Sequence, residues 1–404
     1  MDYTTLSQEP TSPQTPTCAQ SQSLYEVCQH LNDGRAARGK TYELAGLLGL
    51  LILAKLAGMK SLKAASDWIQ DQQACLKEHF KLTWKRMPCR NTYQYALLRL
   101  DSEKVNECLA AWLIRQEAQS RCGEEPSRLA AQSDQRSVHL ALDGKVLKGT
   151  GKQVYGGEKP QKHVLHVYEV QTGIVLHQCP MLEKQNEVSA LKPLLTEVLC
   201  KGRVITADAA QSYHEFVKTV TRAGGDVILM IKDNTPVRRA DLELFFEDAQ
   251  ADRTTWDSYE KPEQGHGRRE KRTLVTTPDL NEYLHREWGE VGQVFRLQRE
   301  RTIASQTSVE VVYGLTTLTR ERCHTEPLFQ FIRDHWAIEH RLHGRRDVTL
   351  GEDQCGVRVP AVAQMLAVLN SLVLSLMDFH QVTNVARQIR RFSSHPEEAL
   401  AWVF

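Results

Sequence analysis

The sequence predicts an α/β protein: an all-helical N-terminal block, then a mixed sheet flanked by helices and carrying a β-rich insertion. Three observations predict it. Apolar residues recur at three- and four-residue spacing from about residue 23 to 120. Strand-like alternation sets in at Ser137. From about residue 250 to 320 basic, alternating segments interrupt the pattern, which then closes on two amphipathic stretches, Pro327–Arg345 and Pro360–Phe379.

At 404 residues the chain has the length of two or three domains of roughly 150 residues. Its 41% hydrophobic and 25% charged residues exclude a disordered, collagen-like or coiled-coil chain. Lys+Arg 51 against Asp+Glu 50 leave a net charge of +1, which excludes a polycationic coat for nucleic acid but not a local basic patch. The ten cysteines include no CxxC pair, which argues against a structural zinc site. With a polar N-terminus before them, they read as reduced thiols of a cytoplasmic protein. The longest unbroken apolar run, Leu44–Ala54, is too short to span a bilayer, so no membrane partner is expected.

Residues 1–22, rich in Ser, Thr, Pro and Gln, read as a flexible tail. The helical domain follows over 23–120, with Pro88 as a break, and 121–136 reads as a linker. Within 137–404 the first strand is SVHLALDGKVLKG; KHVLHVYEV and GIVLHQCPM form a hairpin about Gln171-Thr172-Gly173. NEVSALKPLLTEVLC is a helix, RVITADAA a strand, SYHEFVKTVTRAGG a helix ended by glycines, and DVILMIKDN a strand. Strand, strand, strand, helix, strand, helix, strand fits a mixed sheet with helices on its faces. The insertion at about 250–320 contributes GHGRREKR and the strands VFRLQRE and SVEVVYGLTTL.

Three carboxylates stand out by position. Asp143 ends the first strand, Asp208 ends the strand VITA, and Glu339 lies on a helix after the insertion. Strand-end carboxylates converge where sheets of this kind bind ligands. Gathered there they repel one another unless a cation compensates, and hard oxygen ligands suit Mg2+ or Mn2+. Two such ions activate an attacking oxygen and stabilise a leaving one in phosphoryl transfer. Taken singly, an Asp before Gly is most often a turn residue, and a helical Glu is most often a surface residue.

LALDGKVLKG, VITADAA, GHGRREKR and HWAIEHRLHGRRDVTLGED together resemble the H-repeat-associated insertion-sequence transposases, a branch of the Asp-Asp-Glu transposases. The resemblance covers residues from about 25 to 400 and implies an RNase H-like core with a β-rich insertion before the last acidic residue. It implies that Asp143, Asp208 and Glu339 bind two Mg2+ (or Mn2+) ions and catalyse hydrolysis at the element ends and strand transfer to target DNA. It also implies double-stranded DNA as partner and a homodimer on that DNA. A domesticated DNA-binding descendant and a metal-dependent nuclease on the same core are the alternatives.

Arg346, seven residues after Glu339, is expected on the same helical face and, by the resemblance, against DNA. The chain departs from the family at His340, where Asn is usual, at Gly344, where an aromatic is usual, and in KDNTP around Asn234. A glycine inside a helix costs about 1 kcal/mol against alanine, so Gly344 predicts an early helix end. His335, Glu339 and His343 at i, i+4 and i+8 suggest a rival zinc site, but the spacing is not HExxH and no fourth ligand offers itself.

DNA contact is expected at Lys145, at the cluster Lys261, His266, Arg268, Arg269, Lys271 and Arg272, and at Arg345 and Arg346. Pro88-Cys89-Arg90-Asn91-Thr92 resembles a turn plus N-cap before a recognition helix, although a structural or dimerisation role for the helical block reads nearly as well.

Overall fold

In the computed structural model Ser23 accepts a hydrogen bond from the Glu26 backbone N–H (3.2 Å) and caps α1 (Leu24–His30). The structure describes residues 20–37, 40–122, 138–151, 162–181, 191–208, 213–231, 235–265 and 267–404. The N-terminal tail and the 121–136 linker lie almost wholly outside these residues, as do the start of the helix expected from Asn186, Asn234 and His266. The chain forms two compact units that do not follow chain order. Met1–Arg136, Gly144–Lys184 and Ile338–Phe404 make the first; Ser137–Asp143 and Gln185–Ala337 make the second. The C-terminal helices therefore share a unit with the N-terminal helical block.

In the first unit α1 is followed by α2 (Leu44–Leu56), α3 (Leu62–Asp71), α4 (Gln73–His79), α5 (Arg90–Leu98) and α6 (Ser102–Cys122). Every residue of α2 is buried, Lys55 included, because the sequence wraps the helix in Leu, Ile, Ala and Gly with no polar face. Gly46 and Gly49 let it pack closely: a Cβ there would stand 2.8 Å from the Trp84 ring and 2.6 Å from that of Phe80. β1 (Val138–Leu147) crosses the unit boundary after Asp143; its second half neighbours β2 (Lys162–Glu169), which pairs antiparallel with β3 (Val175–Met181). The turn between β2 and β3 needs Gly173, at φ +78°.

The second unit holds the first half of β1, then α7 (Glu197–Cys200), β4 (Arg203–Ala207), α8 (Tyr213–Arg222), β5 (Asp226–Ile231) and α9 (Pro236–Glu247). The inserted strands are β6 (Asp257–Gly265), β7 (Arg268–Thr277), β8 (Gln293–Ile303) and β9 (Gln306–Thr316), with α10 (Asn281–Trp288) after β7 and α11 (Thr325–His335) closing the unit. β1 pairs parallel with β4, and β4 parallel with β5. All six residues of β5 are buried, as an apolar run at the centre of a covered sheet must be. β5 then pairs antiparallel with β9, and the meander continues through β8 and β7 to β6. The core gathers Ile228, Met230, Leu274 and Phe295 from the sheet against Leu328, Phe329 and Ile332 of α11.

Two expectations on elements need correction. The helix predicted over residues 186–200 is interrupted within its described part: Leu191 is still helical, Pro193 falls in a turn closed by the Leu194 N–H on the Leu191 carbonyl (2.7 Å), and α7 follows, because proline disrupts the helical hydrogen-bond ladder. The helix expected over Pro327–Arg345 ends at His335 with Trp336 as C-cap, and two segments of wide, π-type turns take over, Ile338–His343 and Arg345–Thr349.

The first unit closes with α12 (Pro360–Phe379), α13 (Val385–Ser394) and α14 (Pro396–Leu400). By length and composition α12 is able to cross a membrane, yet 78% of its most apolar window is buried within the protein. Its polar side chains are also used inside the unit. Ser375 donates to the Gly173 carbonyl (3.0 Å), Ser371 to Gln178 Oε1 (2.7 Å) and Asn370 to Glu352 Oε1 (2.9 Å), so α12 is a core helix laced to the β2–β3 hairpin.

Candidate metal centre

The register of β1 on β4 fixes the first two carboxylates. Leu142 stands opposite Ala207 as the last pair of this parallel ladder, so Asp143 and Asp208 take the next position on each strand. Asp208 follows directly on the end of β4, as expected. Asp143 does not end its strand: β1 runs on to Leu147, and what ends there is the pairing with β4.

Behind Asp208 stands a chain of buried imidazoles. Asp208 Oδ1 lies 3.9 Å from His335 Nε2. His335 Nδ1 shares a hydrogen bond with Thr206 Oγ1 (2.8 Å), which shares a second with His139 Nε2 (2.8 Å). Burial, and then the charge of His335, push His139 down to about 3, so its ring is neutral at physiological pH.

Glu339 occupies the first π-type segment with its side chain about half exposed, 3.8 Å from His343 Nδ1. His343 is buried, and its Nε2 lies 3.1 Å from His166 Nδ1. Asp143 and Asp208 offer carboxylate oxygens to an ion in the second unit, and Glu339 offers one in the first. Carboxylate oxygens suit a hard divalent ion such as Mg2+ or Mn2+. The zinc reading loses its basis, because the straight α-helix that would align His335, Glu339 and His343 stops at His335.

Three of the expected DNA contacts are turned inward or tied down. Arg346 has no exposed surface; Nε and Nη2 each donate 2.9 Å to the Glu352 carboxylate. The seven-residue arithmetic that put it beside Glu339 assumes α-helical turns, and the wide turns present here break it. Lys145 is buried and pairs with Asp347 at 2.5 Å. Arg345 pairs with Asp378 at 2.8 Å. A charge without its partner in view reads as solvated, so the sequence alone does not show these pairings.

On the β6–β7 hairpin the basic cluster is partly neutralised. Lys271 pairs with Glu260 (2.8 Å), and Arg272 with Glu263 (2.5 Å) and Glu270 (3.0 Å). Lys261 is half-buried, whereas Arg268 and Arg269, beside the turn, are exposed. At the N-terminal candidate turn, Cys89 takes the N-cap position of α5.

The sequence assigns no role to His139 and Thr206, which stand behind His335, or to His166 and Glu352, which contact His343 and Arg346. The only signal was weak: His139 and His166 each sit within an apolar strand run, where a polar side chain needs a partner.

The sequence matches the family described as Transposase DDE domain over residues 134–376, and the one described as DDE_Tnp_1-associated over residues 25–113. It is 24% identical over 381 residues to "H repeat-associated putative transposase YhhI" of Escherichia coli strain K12, covering 91% of this chain and 95% of that protein. YbfL of the same strain is similar to the same extent, 24% over 381 residues with the same coverage. Among solved structures, the piggyBac transposase synaptic complex with hairpin DNA aligns with 98% of this chain and 80% of its own at 10% identity, with a TM-score of 0.43. The matched span, the two aspartates at neighbouring strand positions and the glutamate after the β-rich insertion agree, and the chain belongs to the DDE transposases, in the branch of the H-repeat-associated insertion sequences.

Proposed function

We propose that this protein cuts a phosphodiester bond at each end of its insertion sequence and joins the exposed 3′-hydroxyl to target DNA. The observation that carries this reading is the parallel register that makes Asp143 and Asp208 neighbours at the end of the β1–β4 ladder. Membership of the DDE transposases implies a divalent metal. Asp143, Asp208 and Glu339 are the residues that would hold it, as two Mg2+ (or Mn2+) ions. Bound there, such ions supply a more acidic attacking water or hydroxyl and charge stabilisation of the leaving oxygen.

The chain's own groups do the rest. Asp143 sits within β1 and Asp208 directly after β4, and His335 backs Asp208. Arg268 and Arg269 neutralise backbone phosphates of the duplex. The helical block of residues 23–120 reads the element end, and two copies act together on two ends in the cytoplasm.

The test is a labelled duplex carrying the element end, incubated with the full-length protein and a supercoiled target plasmid. Cleavage and joined products are expected with Mg2+ or Mn2+ and neither with excess chelator. Cleavage without joining would reduce the protein to a nuclease, and end binding without cleavage to a DNA-binding protein.

A further inference from the structure

We propose that Arg346 and His166 are positioning residues for the reaction: a buried relay from Arg346 through His166 fixes the tautomer of His343, and His343 in turn orients the Glu339 carboxylate. The proposal rests on the reading of Glu339 as a metal-holding residue.

The Arg346 guanidinium can donate hydrogen bonds but not accept them. Glu352 grips two of its nitrogens, at 2.9 Å each, which fixes the plane of the fork. The remaining nitrogen, Nη1, contacts His166 Nε2, so that ring nitrogen must present its lone pair. His166 Nε2 also lies 3.2 Å from Gln178 Oε1. That oxygen, however, already accepts from the Ser371 hydroxyl (2.7 Å) and lies 3.4 Å from Arg346 Nη1. A proton on Nε2 would face the guanidinium N–H head-on.

With its lone pair on Nε2, neutral His166 carries its proton on Nδ1 and donates to His343 Nε2 at 3.1 Å. His343 then keeps its own proton on Nδ1, which lies 3.8 Å from Glu339 Oε2. A small rotation of the half-exposed glutamate closes that gap to a hydrogen bond. The direction of every bond thus follows from one residue that has no alternative. Both nitrogens of His343 are thereby occupied, so its part is to donate to Glu339 and not to ligate an ion. This gives the burial of Arg346, a residue expected on DNA, a use at the site.

The test uses the full-length protein labelled with 15N-histidine, with the two rings identified by comparison with His166→Asn and His343→Gln. Long-range 1H–15N spectra are expected to show the ring proton on Nδ1 in both histidines; either ring protonated on Nε2 overturns the relay. In parallel, His166→Leu should weaken Mn2+ binding to the DNA-free protein and lower kcat for end cleavage by roughly 10–100-fold, with KM for DNA little changed. His166→Asn keeps an N–H at the place of Nδ1 and should restore most of both. Wild-type Mn2+ affinity and kcat in His166→Leu, with cleavage abolished in Glu339→Gln, would overturn the relay and leave the reading of Glu339 standing. Normal cleavage by Glu339→Gln would overturn that reading itself. If His166→Leu does not fold, the ring tautomers of the wild type and the activity of His166→Asn decide the matter.

Discussion

Arg346 and Glu352 are two charges taken out of water together, and each is tolerable only because the other is there. Burial alone would raise the Glu352 carboxyl, but the Arg346 guanidinium, with a hydrogen bond from Asn370, holds it below the ordinary carboxylate range. Removing one partner should be worse than removing both. Arg346→Met is expected to cost about 3–5 kcal/mol in urea unfolding, and Arg346→Met with Glu352→Leu distinctly less. A second prediction concerns acid. Unfolded His139 titrates near its ordinary value, whereas the native ring, buried between β4 and α11, does so only at about 3. The unfolded chain therefore takes up this proton first as pH falls. The native state is fully stable in this respect above roughly pH 6.5 and loses about 2 kcal/mol on going to pH 5 from this histidine. Urea midpoints at pH 7.5 and pH 5 test this, and His139→Asn should flatten the difference.

At the scale of elements, the strands were the most legible part of the chain. β1, β4 and β5 announced themselves as apolar runs, and the turn at Gly173 as a hairpin. Neither β6 nor β7 is recognisable as a strand: Pro262 and four charged residues sit in β6, whose burial only alternates, and β7 opens on the charged run Arg268–Arg272. The π-type turns after α11 are not legible either: nothing in HWAIEHRLHGRRDVT distinguishes wide turns from α-helical ones, so the α-helical pitch that puts Glu339 and Arg346 on one face does not apply. Asp143, Asp208 and Glu339 were readable only jointly, through motif and topological position, since each alone looks like a turn or surface residue. The β6–β7 hairpin supports a prediction that separates its charges. Arg268→Ala and Arg269→Ala should each reduce the slope of log binding constant against log salt by about 0.9 on duplex DNA. Lys271→Ala and Arg272→Ala should change it less, because these residues already serve Glu260, Glu263 and Glu270.

At the scale of the whole molecule, chain order and folding units diverge. α12 packs on α2, α5, α6 and β3, so the helical block completes its core only when residues after 360 are present. A fragment comprising residues 1–136 should therefore show helical circular dichroism without a cooperative thermal transition, while the full chain melts cooperatively. Net charge says little about a protein of this kind. A total of +1 conceals the exposed arginines at the hairpin turn and the paired charges buried elsewhere. In the proposed reaction three acidic side chains act as one site, and the most direct measurement of this is Mg2+-dependent nicking of element-end DNA by Asp143→Asn, Asp208→Asn and Glu339→Gln. All three variants are expected to fold and to bind the end like the wild type, with cleavage lost in each. Wild-type nicking by any one of them, under the same metal dependence, would contradict it.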